Sequence, residues 1–101
     1  MPGVSVVFAP AAAQELYQAI SWYLERSSEV AKQFEAEIAR ALRSISENPR
    51  AWPTFRGARR RMLMRRFPYG IIYEISDLGI VVLAVAHNRR RPFYWRRRNK
   101  Q

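Results

Sequence analysis

The seven residues Ile80-Val-Val-Leu-Ala-Val-Ala86 contain no polar side chain and are dominated by β-branched and aliphatic groups. A run this short and this apolar is predicted to be a strand buried on both faces, hence central in a sheet. Ile71 to Ile75 forms a second β-rich run, and Ser76-Asp77-Leu78-Gly79 between them supplies short polar groups and a glycine for a turn. Together they predict a β-hairpin that forms the floor of the fold. Arginines bracket it, with Arg59-Arg60-Arg61 and Arg65-Arg66 before and Arg89-Arg90-Arg91 after.

That bracketing concentrates charge in one half of the chain. Residues 1–50 carry five basic and six acidic side chains, net −1, while residues 51–101 carry thirteen and two, net +11. The partner expected for the second half is anionic. Sixteen of the eighteen basic residues are arginine, whose planar fork matches phosphate or carboxylate in a bidentate way. There is no cysteine, which excludes disulfides and thiolate metal sites and fits a cytoplasmic location. No apolar run approaches the roughly 20 residues of a membrane span, so no membrane partner is expected. At 101 residues a single domain covering 1–101 is expected.

Read in order, Val4 to Phe8 suits a first strand, and Ala9-Pro10 starts a helix with proline in its first turn. Leu16, Ile20, Tyr23 and Leu24 recur at helical spacing, with Ala12 and Ala13 extending the stripe, to about Arg26; Trp22 falls outside it. Ser27-Ser28-Glu29 supplies an N-cap and an acid for a second helix. The stripe of that helix is Val30, Ala31, Phe34, Ile38, Ala41, Leu42 and Ile45; its outer face is Lys32, Glu35, Glu37, Arg40 and Arg43; and it ends before Asn48-Pro49. The short connector makes an antiparallel helix hairpin. Residues 48–58 read as an ordered loop pinned by Trp52 and Phe55. Arg59 to Phe67 reads as a strand with Arg61, Leu63, Arg65 and Phe67 on one side and Met62, Met64 and Arg66 on the other. The resulting class is α+β: an N-terminal strand, a two-helix hairpin, a three-stranded antiparallel meander and a short basic tail, Arg96-Arg97-Arg98, behind Phe93-Tyr94-Trp95.

Elimination narrows the chemistry. The glycines at 3, 57, 70 and 79 form no phosphate loop, and the lone His87 lacks partners for a metal or a serine triad, so neither metal nor cofactor is expected. Metal-free RNA cleavage remains open: it needs a base, an acid and cations at the phosphorane. His87 and Tyr94 are the candidates for proton transfer, since arginine does not deprotonate near neutrality. The alternative for His87 is a structural ring hydrogen-bonded to its own loop.

Four stretches then carry a resemblance. Phe8-Ala9-Pro10, Asn48-Pro49, Arg66-Phe67-Pro68-Tyr69-Gly70-Ile71-Ile72-Tyr73 and Val85-Ala86-His87-Asn88-Arg89-Arg90, in this order, make the chain similar to the RelE/ParE superfamily of bacterial type II toxins. The resemblance implies a toxin neutralised by a cognate antitoxin, whose acidic and apolar segment covers the positive half. It also implies one of two targets. In the ribosome-dependent mRNA endonucleases the matching catalytic positions are His87, Tyr94, Arg65 and Arg89. In ParE-like inhibitors of DNA gyrase, Arg61, Arg65, Arg89, Arg90, Arg91, Arg96, Arg97 and Arg98 serve to bind target or nucleic acid. The turn at Phe67-Pro68-Tyr69 and the ending His87-Asn88-Arg89-Arg90 resemble the ParE side, which the reading favours. On this resemblance Arg61, Arg65, His87 and Arg89 share one concave basic surface. A non-toxic nucleic-acid-binding module is the third reading.

Overall fold

The computed structural model describes residues 3–89. Its elements are β1 (Val6–Phe8), α1 (Pro10–Arg26), α2 (Ser28–Glu47), β2 (Thr54–Arg56), β3 (Arg59–Leu63), β4 (Tyr69–Ser76) and β5 (Gly79–His87). They build a five-stranded sheet of order β1-β5-β4-β3-β2, with β1 parallel to β5 and every other pair antiparallel. The expected meander of three strands is thus four, because Thr54–Arg56, expected as loop, forms a short hairpin with β3. Gly57 at φ 61° makes that tight turn.

The apolar run behaves as its composition requires. β5 lies between β1 and β4, and Ile80 to Val85 are all buried. The hairpin turn closes with Ser76 opposite Gly79, the Ser76 hydroxyl donating to the Gly79 carbonyl at 3.0 Å. Gly79 has a φ of 129°, and a Cβ there would lie 2.6 Å from the Ser5 carbonyl oxygen, so both the turn and the close approach of β1 require glycine. A bulge between β4 and β5 aligns Ile72 with Ala84 but Tyr73 with Val82. It leaves Val82 and Val85 on the same side of the sheet, facing the helices.

Both helices pack on that side. Ser27 extends away from α1 and its hydroxyl accepts the Val30 amide at 3.2 Å, the cap expected for α2. The α2 stripe buries Ala31, Phe34, Ile38, Ala41 and Ile45 as expected. The α1 stripe is displaced: Ala12 and Ala19 are buried, while Leu24 is 57% exposed and Ala13 is exposed. Alanine at these two positions lets α1 approach β5 closely, and Ala9 N–H donates to the Val82 carbonyl to fix the helix start. Tyr23, Phe34 and Phe67 interlock with centroids 5.0–5.2 Å apart. Tyr73, fully buried, donates its hydroxyl to the Pro49 carbonyl at 2.7 Å and thereby ties the end of the helix hairpin to the sheet. The opposite face of the sheet holds a separate small cluster of Ile72, Ala84 and Phe55.

Strand β3 departs from expectation at its end. It stops at Leu63 rather than Phe67, so the alternation assigned to residues 64–67 does not apply. Met64 N–H still donates to the Tyr69 carbonyl, and Tyr69 N–H donates to the Phe67 carbonyl across Pro68, a tight turn that swings Phe67 into the core. No helix among the described residues is long and apolar enough to cross a membrane.

Candidate functional site

His87 is the last residue of β5, on the helix side of the sheet. It pairs with Tyr69, whose ring meets the imidazole edge-on at 5.0 Å. Its Nδ1 accepts the Arg89 amide at 3.1 Å, so the ring binds its own loop and the second ring nitrogen carries the proton in the neutral form. Beyond it opens a cleft of about 390 Å³ between α1 and the ends of β4 and β5, lined by Glu15, Gln18, Trp22, Tyr23, Tyr69 and His87.

Glu15 reaches across this cleft. Its Oε1 accepts the Val85 amide at 2.9 Å, at the point where β1 has already turned into α1 and, among the described residues, no strand pairs with this side of β5. A carboxylate thus continues the ladder. Burial raises the Tyr23 hydroxyl above its ordinary pKa, and burial together with the neighbouring Tyr23 raises that of Tyr69. Both phenols therefore stay neutral donors near neutrality and do not serve as bases. On the rim the Arg26 guanidinium stacks 3.7 Å above the Trp22 ring, which is 50% exposed.

The arginines lie elsewhere. Arg61 pairs with Ile72 and is on the open face of the sheet, its guanidinium 4.8 Å from the centroid of Phe55. Arg59, beside it, forms an ion pair with the buried Glu74 at 3.4 Å. Arg60 turns to the helix side and donates to the Trp52 carbonyl, pinning the 48–53 loop. Arg65 and Arg66 lie in the loop after β3, where the Glu37 carboxylate of α2 accepts their backbone amides at 2.8 and 3.3 Å.

The expected concave grouping is therefore divided. Arg61 is on the open face, Arg65 lies under α2, and His87 is in the helix-side cleft with Arg89 just past it. Tyr94 and Arg90, Arg91, Arg96, Arg97 and Arg98 lie outside the described residues. Among the described residues no three metal-ligating side chains converge.

Two acids were misread from sequence. Glu37, assigned to the outer face of α2, is only 9% exposed and holds the β3–β4 loop. Glu15, which falls off the apolar stripe expected for α1, caps β5. The signal lay in the helical period: Glu37 follows Phe34 by three residues and precedes Ala41 by four, and Glu15 stands likewise between Ala12 and Ala19, so each lies on a buried stripe.

An antiparallel helix hairpin on one face of a five-stranded sheet is the α+β architecture expected from the resemblance to the RelE/ParE toxins. Residues 6–92 match the family described as ParE toxin of type II toxin-antitoxin system, parDE, and the chain belongs to that family. It is also similar to a solved structure described as the chromosomal ParDE TA system from P. aeruginosa. The TM-score is 0.71 at 16% identity, covering 82% of this chain and 94% of that one. At that identity the likeness carries the fold. No curated protein shows a match.

Proposed function

We propose that this ParE-family chain is a growth-arresting toxin that acts by binding DNA gyrase and is held inactive by a cognate antitoxin. The observation that supports this over RNA cleavage is the separation of the candidate groups. Cleavage at the 2′-hydroxyl needs the proton-transfer residue and the phosphate-binding cations within one hydrogen-bonded site. Here His87 lines the cleft beside α1, its Nδ1 taken by the backbone amide of Arg89 and its ring packed on Tyr69, whereas Arg65 lines a separate groove beside α2, its amide held by Glu37. Inhibition by binding requires no such convergence. The antitoxin is expected to bring the negative charge that the second half lacks, and its affinity to weaken as salt screens surface pairs beyond about 10 Å at 0.1 M.

Induced expression, with and without the adjacent open reading frame, tests the toxin reading: arrest relieved by co-expression is expected. Purified protein in a gyrase supercoiling assay, beside mapping of mRNA ends on translating ribosomes after induction, tests the target. Loss of supercoiling with unchanged mRNA ends is expected, and His87→Ala should keep full toxicity. New mRNA ends that vanish in His87→Ala would establish the endonuclease instead.

A further inference from the structure

At the edge of the sheet opposite β2 stands β1, three residues long. Printed along its main chain are the directions in which successive residues bond. The Ser5 carbonyl accepts the Ile80 amide at 2.8 Å and the Ala9 amide donates to the Val82 carbonyl at 2.9 Å, so residues 5 and 9 face β5, and Val7 between them does too. Val4 N–H instead donates to the Ser46 carbonyl of α2, on the other side. Val6 and Phe8, in phase with Val4, direct their amides and carbonyls outward, and among the described residues no hydrogen bond meets them there.

This edge is apolar and uncharged. Val6 and Phe8 pack into the helix-side core, while Val7 points to the other face and is 55% exposed. Val4 and Leu78 are exposed beside it, Leu78 in the hairpin turn whose Gly79 lies against Ser5. The first charged side chain of the sequence is Glu15, whereas the arginines of β2 and β3 gather at the opposite edge. An acidic segment or a phosphate backbone finds no cation on this strand, and a like copy meets no repulsion from it.

We propose that two copies of this chain join through β1, the strands running antiparallel about a two-fold axis at Val7 so that the two sheets become one. In that register Val6 stands opposite the partner's Phe8, and the outward amides of each copy meet the outward carbonyls of the other. Val7 faces the partner's Val7 as a non-hydrogen-bonded pair, with Cα atoms about 4.5 Å apart and the exposed methyl groups in contact. The helix ends match as well. α1 starts at Pro10 with no acid in its first turn, and α2 ends at Glu47 with no base in its last. Pro10 comes beside the partner's Val4, which carries the end of α2, so the positive end of one helix dipole meets the negative end of another. Ser46 at Val4 and the helix start at Pro10 confine the added strand to three residues, and the dimer is therefore concentration-dependent.

Sedimentation of the purified full chain over a range of concentrations, with amide exchange at each, tests the pairing. A dimer is expected, in which the Val6 and Phe8 amides slow by about tenfold or more while the Val7 amide, already bonded to β5, does not change. The chain has no cysteine, so Val7→Cys is a unique probe: mild oxidation should link two copies, because the Cα separation suits a disulfide, whereas Leu63→Cys at the β3 edge should stay unlinked. Val7→Lys sets like charges opposite each other and should give a monomer with the unfolding midpoint of the dilute unaltered chain. A chain that stays monomeric up to its solubility limit overturns the proposal. A dimer in which Val6 and Phe8 exchange as in the monomer, or which links through Leu63→Cys and not Val7→Cys, overturns the strand placement. Slowing of these two amides only when the antitoxin encoded beside the chain is added overturns the choice of partner.

Discussion

The Glu15 carboxylate of α1 stands in for a missing strand by accepting the Val85 amide at 2.9 Å. β1 covers β5 only from Ile80 to Val82, after which the chain becomes helical at Pro10. The most buried strand of the protein would otherwise present an orphan donor just beyond that point, and an unsatisfied buried amide costs about 1–3 kcal/mol. Helix and sheet are thereby joined by a polar bond inside an apolar contact.

Replacing Glu15 tests that role. Glu15→Ala should destabilise the chain by about 1–3 kcal/mol and accelerate exchange of the Val85 amide, whereas Glu15→Gln keeps an acceptor oxygen and should lose less. Chemical denaturation with amide exchange of the three proteins checks both parts; equal losses for Ala and Gln would mean that charge, not the hydrogen bond, matters here.

Glu37 makes the corresponding bond on the other helix. Its Oε2 accepts the Arg65 and Arg66 amides, while its buried Oε1 has no hydrogen-bond partner among the described residues. Glu37→Ala is expected to cost about 1–3 kcal/mol and to loosen the 64–68 loop. Glu37→Gln, retaining one acceptor and offering the other side a donor, should be milder. Unfolding midpoints separate the variants, and exchange rates at Arg65 and Arg66 locate the effect.

Alkaline pH should unfold the protein through its tyrosines. Burial raises the hydroxyl pKa of Tyr23, Tyr69 and Tyr73 above 10.0, an effect that Tyr23 reinforces at Tyr69 and that Arg60 partly opposes at Tyr73. The folded state therefore holds these protons more tightly than the unfolded chain. Their contribution is fully present below pH 10.0 and lost as pH rises through the folded-state values. Denaturation midpoints measured from about pH 8 to about pH 11 should fall at the upper end. Tyr73→Phe, which also forfeits the bond to the Pro49 carbonyl, should cost about 1 kcal/mol at neutral pH and flatten that fall.

Much of the architecture is legible in local chemistry. Ile80–Ala86 reads as a buried central strand because no residue in it tolerates water, and Ser27 reads as a cap because its hydroxyl has an orphan amide three residues on. Trp52 and Phe55 read as loop anchors, but they serve different faces: Trp52 packs on the helix-side core and Phe55 on the open-face cluster. Only β2, three residues long, decides that split, and a strand of that length has too little pattern to be seen in advance.

Sequence by itself determined the two helices and the β4–β5 hairpin, where the helices begin, and that positive charge gathers in the second half, because propensity, capping and net charge are properties of neighbours in the chain. Tertiary structure decided which face each side chain joins. The turn across Pro68 reversed Phe67 into the core, the bulge beside Leu83 put Val82 and Val85 on one side, and the end of β1 called Glu15 to Val85. It also set Arg61 and His87 on opposite faces of the sheet. Distance through the fold separates those two side chains, and no spacing along the chain encodes it.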